Sequence, residues 1–296
     1  MNDFRAGFVS FVGRPNVGKS TLTNALVGEK VAITSDKPQT TRRAIRGISN
    51  REGGQLILVD TPGLHRPRTL LGERLNDLVE STLGDVDVIG FCIPADEKIG
   101  PGDAFINGEL DKFRRAKLVA IVTKSELVSR DRLAEQLMAV SQLRQWAEII
   151  PVSAVSGDQV EDLAKVLIKL LPQSPELYPQ DMTTDESLEQ RICELIREAA
   201  LDGVREELPH SLAVTLDEIL DGEDGSKKRI HANLWVERDS QKGIVIGKGG
   251  TRLKEVGSRA RKEIEALLGE KVFLALHVKV SKDWQRDPKA LTRLGF

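Results

Sequence analysis

Gly13-Arg14-Pro15-Asn16-Val17-Gly18-Lys19-Ser20-Thr21 is the stretch whose reading decides the fold of this chain. The apolar run Phe8–Val12 precedes it, as a buried strand would, and Leu22, Ala25 and Leu26 follow at helical spacing. A strand, a G-x-x-x-x-G-K-S turn and a helix start together form the context of a phosphate site. Gly13 and Gly18 permit backbone angles that a Cβ would resist, so the N–H groups of the turn can converge on one anion. Lys19 is placed to reach the terminal phosphates and Ser20 to ligate Mg2+, while the helix dipole adds positive potential. A glycine-rich turn without a ligand is the bland alternative, and the Gly-Lys-Ser ending in this context speaks against it. The stretch predicts a nucleoside-triphosphate site.

Outward from that loop, 296 residues with 40% hydrophobic and 30% charged side chains read as a soluble chain of two domains. No apolar run approaches the roughly 20 residues of a membrane span. Met1–Gly7 carries Asp3 and Arg5 in place of the apolar stretch of a secretory signal. Cys92 and Cys193 lie far apart in apolar-patterned segments, which suits buried thiols and offers no metal-ligand spacing. The net charge of −2 suggests no polyanion partner, but it averages over an uneven distribution.

After the helix ending at Gly28, a polar, Thr-rich segment (30–46) leads to Gln55–Val59, a buried-strand run. That run delivers Asp60-Thr61-Pro62-Gly63 at its carboxyl end, where open parallel sheets bind ligands. Asp60 can hold a water on Mg2+, and the Gly63 N–H can face a γ-phosphate. Strand patterns recur at Val86–Ile93, Leu118–Val122 and Glu148–Val152, with helical stretches between them, which predicts a mostly parallel α/β sheet. Two of these strands run into Thr123-Lys124-Ser125-Glu126 and Ser153-Ala154. The first domain spans 1–172, and a Pro/Gln/Ser/Thr-rich linker occupies 173–187.

A second, α+β domain spans 188–280 in the order α-β-β-α-α-β, followed by a tail at 281–296. Residues 185–224 hold 13 acidic and 3 basic side chains, whereas 226–262 hold 3 acidic and 11 basic. The basic block surrounds Gly247-Lys248-Gly249-Gly250, a G-x-x-G turn between two helices, and this coincidence predicts nucleic-acid binding rather than a merely solvated face. Lys248 sits on the turn itself, with Arg252 and Lys254 just beyond it. Ile244, Val245 and Ile246 are candidate groove walls or ordinary core residues.

Together these motifs resemble the Era family of bacterial ribosome-assembly GTPases over nearly the whole chain. The likeness covers Gly13–Thr21, Gln39–Arg43, Asp60–Gly63, Ser153-Ala154, the Gly247–Gly250 turn of a type II KH domain, and the ending Trp284…Leu291-Thr292-Arg293-Leu294-Gly295. The resemblance implies a P-loop GTPase domain followed by the KH domain, with GTP or GDP as ligand and Mg2+ as cofactor. It implies as partners the 3′ region of 16S ribosomal RNA and the 30S subunit, bound by a cytoplasmic monomer when GTP is present. No anchor argues for membrane attachment, so contact with the inner face of the cell membrane would be peripheral.

The family's guanine-reading tetrad, Asn-Lys-x-Asp, here reads Thr123-Lys124-Ser125-Glu126. Glu126 keeps the carboxylate that accepts from guanine N1–H and the 2-amino group, and Lys124 can pack its stem along the base. Leu64 stands where Ras-like GTPases carry a water-orienting Gln, so hydrolysis rests on Lys19, Asn16, Thr41, Gly63 and Mg2+, with turnover on the order of 10⁻⁴–10⁻² s⁻¹. Asn16 is the loop residue that in related GTPases ligates a monovalent cation, which makes K+ a candidate cofactor. Thr41 is the candidate switch ligand for Mg2+, with Thr40 as the alternative. A rival reading is a constitutive RNA-binding protein whose nucleotide domain is structural. An ATPase is disfavoured, because Asp60-Thr61-Pro62-Gly63 and Ser153-Ala154 together fit a guanine-nucleotide protein.

Overall fold

The computed structural model describes residues 3–35, 37, 40–63, 67, 69–204, 208–222 and 227–296. It divides into two compact units, the first built from 1–34, 41–66 and 74–185, the second from 186–296 together with 35–40 and 67–73.

The first unit is the expected α/β sheet. Its strands are β1 (Arg5–Val12), β2 (Ile45–Arg51), β3 (Gly54–Asp60), β4 (Val88–Pro94), β5 (Lys117–Thr123) and β6 (Glu148–Pro151), in the order β2-β3-β1-β4-β5-β6. All neighbours pair in parallel except β2, which lies antiparallel on β3. β3 and β4 are buried along their whole length, so they read as continuous apolar runs without alternation. The helices are α1 (Lys19–Val27), α2 (Leu70–Asp85), α3 (Pro101–Glu109), α4 (Arg130–Ser141) and α5 (Val160–Leu170). Leu22 and Leu26 of α1 are completely buried against one face of the sheet, each contributing about 2 kcal/mol. In α5 the buried stripe Val160, Leu163, Ala164 and Leu167 joins the same core, while Glu161, Asp162 and Lys169 complement the helix dipole.

Two features depart from the sequence reading. β2 runs from the end of the polar segment (30–46) to Arg51, where no strand is predicted from the sequence pattern, because as an antiparallel edge it needs apolar side chains at only a few positions. The stretch read as a linker is strapped along that edge. Leu177 and Tyr178 N–H groups donate to the buried Gln55 side chain, Ile48 N–H donates to Thr183 O at 2.8 Å, and Thr184 Oγ1 donates to Arg46 O at 2.7 Å. An exposed strand edge is thereby covered.

The second unit follows the expected order with two additions. It comprises α6 (Leu188–Leu201), a short α7 (Leu208–Ser211), β7 (Ala213–Leu220), β8 (Lys228–Val236), α8 (Asp239–Ile246), α9 (Thr251–Leu268), β9 (Val272–Val280) and α10 (Pro288–Leu294). β7 pairs antiparallel and β9 parallel with β8. One core joins Ile192 and Ile196 of α6, Val256, Ala260 and Ile264 of α9, and the inward strand residues Ile230, Ala232 and Leu234. The tail packs too. Trp284 is fully buried, donates to Ser211 O at 3.1 Å and stacks on Phe296.

Candidate functional site

The phosphate-loop residues form a tight cradle at the end of β1. Gly13 has φ +155°, and a Cβ there would lie 2.6 Å from Cys92 O, so only glycine fits. Gly18, at φ +96°, opens α1 with no side-chain cap, and no acidic residue stands in the helix's first turn. Its leading N–H groups are therefore left for an anion. Lys19 is 9% exposed, and its Nζ donates to Gly13 O at 3.0 Å and Arg14 O at 2.9 Å. Burial lowers its affinity for a proton, partly offset by nearby Cys92 and Asp60. A desolvated ammonium anchored to the loop that it must serve is poised for phosphate.

Asp60, Ser20 and Thr41 converge beside it. Ser20 Oγ donates to Asp60 Oδ2 at 2.7 Å, Thr41 Oγ1 to the same oxygen at 3.1 Å, and the two hydroxyls lie 3.2 Å apart. Thr40 turns away, its hydroxyl donating to Lys37 O at 2.6 Å. Asp60 is fully buried, and Oδ1 has no hydrogen-bond partner among the described residues. Burial raises its pKa, with the Ser20 bond, the Lys19 charge and the Thr41 bond pulling the other way. One carboxylate with a spare oxygen and two hydroxyls suit Mg2+, which takes few protein ligands and keeps oxygens from phosphate and water. A Cβ built on Gly63 would lie 3.8 Å from Lys19 Nζ, so this glycine stands against the cradle, next to the buried Thr61 and Pro62. Gln39 and Leu64 lie outside the described residues.

At the end of β5, Thr123 Oγ1 donates to Val17 O at 2.6 Å. The shorter hydroxyl thus braces the phosphate loop directly. Lys124 adopts a left-handed conformation at φ +57°, with Nζ 4.0 Å from Asp96 Oδ1. Glu126 is exposed and makes no hydrogen bond or ion pair among the described residues, which leaves its carboxylate open to a donor. Ser125 N–H donates to Val152 O, tying this turn to Ser153-Ala154, where Ser153 Oγ accepts from Ser156 N–H at 3.0 Å.

Arg14 has side-chain partners that its motif does not show. Its backbone belongs to the loop, and its guanidinium pairs through Nε with Asp103 at 2.8 Å and through NH2 with Glu97 at 2.9 Å. Neither acid belonged to any pattern in the sequence.

In the second unit, α8 and α9 flank the glycine turn. Gly247 has φ +74° and ψ 172°, and a Cβ there would meet Arg252 Cβ at 2.8 Å. Gly249 and Gly250 are left-handed, with nothing within 4 Å of an added Cβ. The turn is open on its outer side, with Lys248 and Lys254 exposed. Ile244 is 55% exposed beside it, whereas Val245 is buried and Ile246 packs on the core, so only Ile244 can wall a groove. Arg252 lies beside the turn and also reaches α6. Its guanidinium donates to Asp202 O at 2.7 Å and to Ala200 O and Gly203 O, closing the carbonyl end of α6.

Residues 8–124 match the family model described as 50S ribosome-binding GTPase, and residues 207–285 match the KH domain. The chain is 70% identical to the GTPase Era of Leifsonia xyli subsp. xyli, with all of both chains covered. It is 63% identical to that of Streptomyces coelicolor over 99% of this chain and 95% of the relative. Among solved structures, Era in complex with MgGDPNP and nucleotides 1506–1542 of 16S ribosomal RNA superposes with a TM-score of 0.94. The identity there is 37%, over 99% of each chain. An Aquifex aeolicus Era variant bound to GDP·AlF4− gives the same score, identity and coverage. With the phosphate cradle, the Asp60 cluster and the KH turn in one chain, this protein belongs to the Era family of GTPases.

Proposed function

We propose that this GTPase is a nucleotide-controlled switch that binds 16S ribosomal RNA near its 3′ end and assists assembly of the 30S subunit. One observation carries the reading: a cradle with a buried carboxylate–hydroxyl cluster and an open Gly-Lys-Gly-Gly turn occur in the same chain. Lys19 and the N–H groups of Gly13 through Thr21 hold the phosphates. Ser20, Thr41 and Asp60 hold Mg2+, which when bound offsets charge on the β- and γ-phosphate oxygens. Thr61, Pro62 and Gly63 close the γ-phosphate side. Thr123, Lys124, Glu126, Ser153 and Ala154 receive guanine. Gly247, Lys248, Gly249, Gly250, Arg252 and Lys254 take the ribose-phosphate backbone, and Ile244 contacts a splayed base. The protein acts as a monomer in the cytoplasm, where that subunit is assembled, and any membrane contact is peripheral; among the described residues no helix is long and apolar enough to cross a bilayer.

The test is to titrate GTP, GDP and ATP, then to measure 16S 3′-end RNA binding in each nucleotide state. GTP over ATP by at least roughly tenfold is expected, falling to near parity in Glu126→Ala as the guanine donors lose about 1–3 kcal/mol of pairing. Equal GTP and ATP affinity in the unaltered protein would support the rival reading of a structural nucleotide domain, as would RNA affinity indifferent to nucleotide.

Asn16 stands at φ +66° on the exposed rim of the cradle, a left-handed position that asparagine tolerates better than most residues. We propose that it ligates K+, whose charge offsets what develops between the β- and γ-phosphates. Exchanging Na+ for K+ at constant ionic strength should raise the hydrolysis rate, and Asn16→Ala should flatten that response. A rate indifferent to the cation would retire the assignment.

A further inference from the structure

The segment after β4 touches both ends of the nucleotide pocket, although it contains none of the motifs that define it. Ala95 N–H donates to Thr123 O at 2.8 Å, and the Asp96 carboxylate faces Lys124 Nζ. Glu97 and Asp103 hold Arg14 of the phosphate loop. From beneath, the buried Gln136 of α4 donates through Nε2 to Pro94 O at 3.0 Å and to Glu97 O at 2.9 Å. One short segment therefore has fixed links to the base-reading turn, the phosphate loop and the scaffold.

Its strongest link is the pair Arg14–Asp103. Asp103 is completely buried, and both oxygens are used, Oδ1 by Arg14 Nε and Oδ2 by Gly100 N–H at 2.9 Å. Gly102 makes room for the arginine, since a Cβ there would come within 2.8 Å of Arg14 Cδ. The Arg14 pKa is raised: burial opposes the charge, and the bonds to Asp103 and Glu97 more than compensate. What this pair fixes is a peptide, because the Arg14 carbonyl is one of the two acceptors that hold Lys19 Nζ.

We infer that Arg14, held by Asp103 and Glu97, is a positioning residue for Lys19, and that residues 95–103 set the spacing between the phosphate and base ends of the pocket. The inference rests on the reading of this pocket as the GTP site. Tight GTP binding by the unaltered protein checks that reading separately. Loosening Arg14 frees its carbonyl, so Lys19 loses a fixed anchor and meets the developing charge in a spread of positions. A misplacement on the order of 1 Å can lower turnover by up to about a hundredfold.

The experiment uses the full chain and compares Arg14→Lys, Asp103→Asn and the double variant Arg14→Met/Asp103→Asn with the unaltered protein. The double variant leaves no lone buried charge, so it remains informative if a single variant fails to fold. For the double variant kcat should fall about tenfold or more while GDP affinity changes by less than about threefold. Arg14→Lys, which keeps the charge but not the two-pronged geometry, should recover part of that loss. A double variant that folds with kcat and KM within about twofold of the unaltered protein would overturn the inference. So would a loss of kcat that tracks the fraction unfolded on thermal melting, since that is what a merely structural pair gives.

Discussion

Lys19→Ala is expected to lower GTP affinity by two decades or more while leaving the apo fold intact. Lys19 is the first residue of α1, a position where alanine is a good helix former, so the substitution does not break the local structure. The ammonium is buried and its pKa is lowered mainly by desolvation. A lysine whose folded pKa is depressed is charged at a cost to stability, and a neutral replacement removes that cost. What disappears is the charge aimed at the terminal phosphates. Two hydrogen bonds from a charged donor are worth roughly 1.5–3 kcal/mol each, and each 1.4 kcal/mol is about tenfold in affinity. Titration with a fluorescent GTP analogue gives the affinity, and a thermal melt reports the fold. Unchanged affinity in a folded Lys19→Ala protein would mean that the phosphates bind elsewhere.

Where the candidate site lies on consecutive residues, its place in the fold was legible in the sequence. Gly13–Thr21 and Asp60–Gly63 could be placed because each follows a buried strand, and a parallel sheet gathers such strand ends on one edge. The order α-β-β-α-α-β was legible for the same reason, since period-two and period-3.6 patterns are local. What escaped notice depends on partners far along the chain. Arg14 and Asp103 are 89 positions apart, and Gln55 and Tyr178 are 123 apart. Nothing in G-R-P-N-V-G-K-S says that the arginine pairs with two acids beyond β4. Arg252 is a similar case, because nothing beside the glycine turn in the sequence shows that its guanidinium also closes the open end of α6, 50 positions away. Thr123 shows the reverse case. It lacks the amide of the family's Asn, yet its hydroxyl reaches the Val17 carbonyl and braces the phosphate loop, a contact that no local pattern announces.

Gly249→Asp should weaken capture of single-stranded RNA from the 3′ end of 16S ribosomal RNA by about one to three decades while leaving GTP hydrolysis measured without RNA unchanged. Among the turn glycines Gly249 is the informative choice. Gly247→Ala would drive a Cβ into Arg252 and risk the fold, whereas a Cβ on Gly249 meets nothing within 4 Å. Its angles, φ +60° and ψ 22°, lie in the left-handed region that aspartate tolerates better than most residues. Stability should therefore fall only modestly, and the loss of RNA is chargeable to the surface. A carboxylate about 4 Å from a phosphate is disfavoured by roughly 1 kcal/mol in bulk water and about 4 kcal/mol at a partly desolvated surface. Affinity should accordingly drop by about one to three decades. Lys248→Ala removes one cation without adding bulk, so it should weaken binding mildly and make the salt dependence shallower by ~1 unit. The contrast between the two variants separates a turn that meets the backbone from a basic block that attracts polyanions at a distance. RNA affinity retained by a folded Gly249→Asp protein would mean that the turn is structural and that the nucleic acid binds on another face.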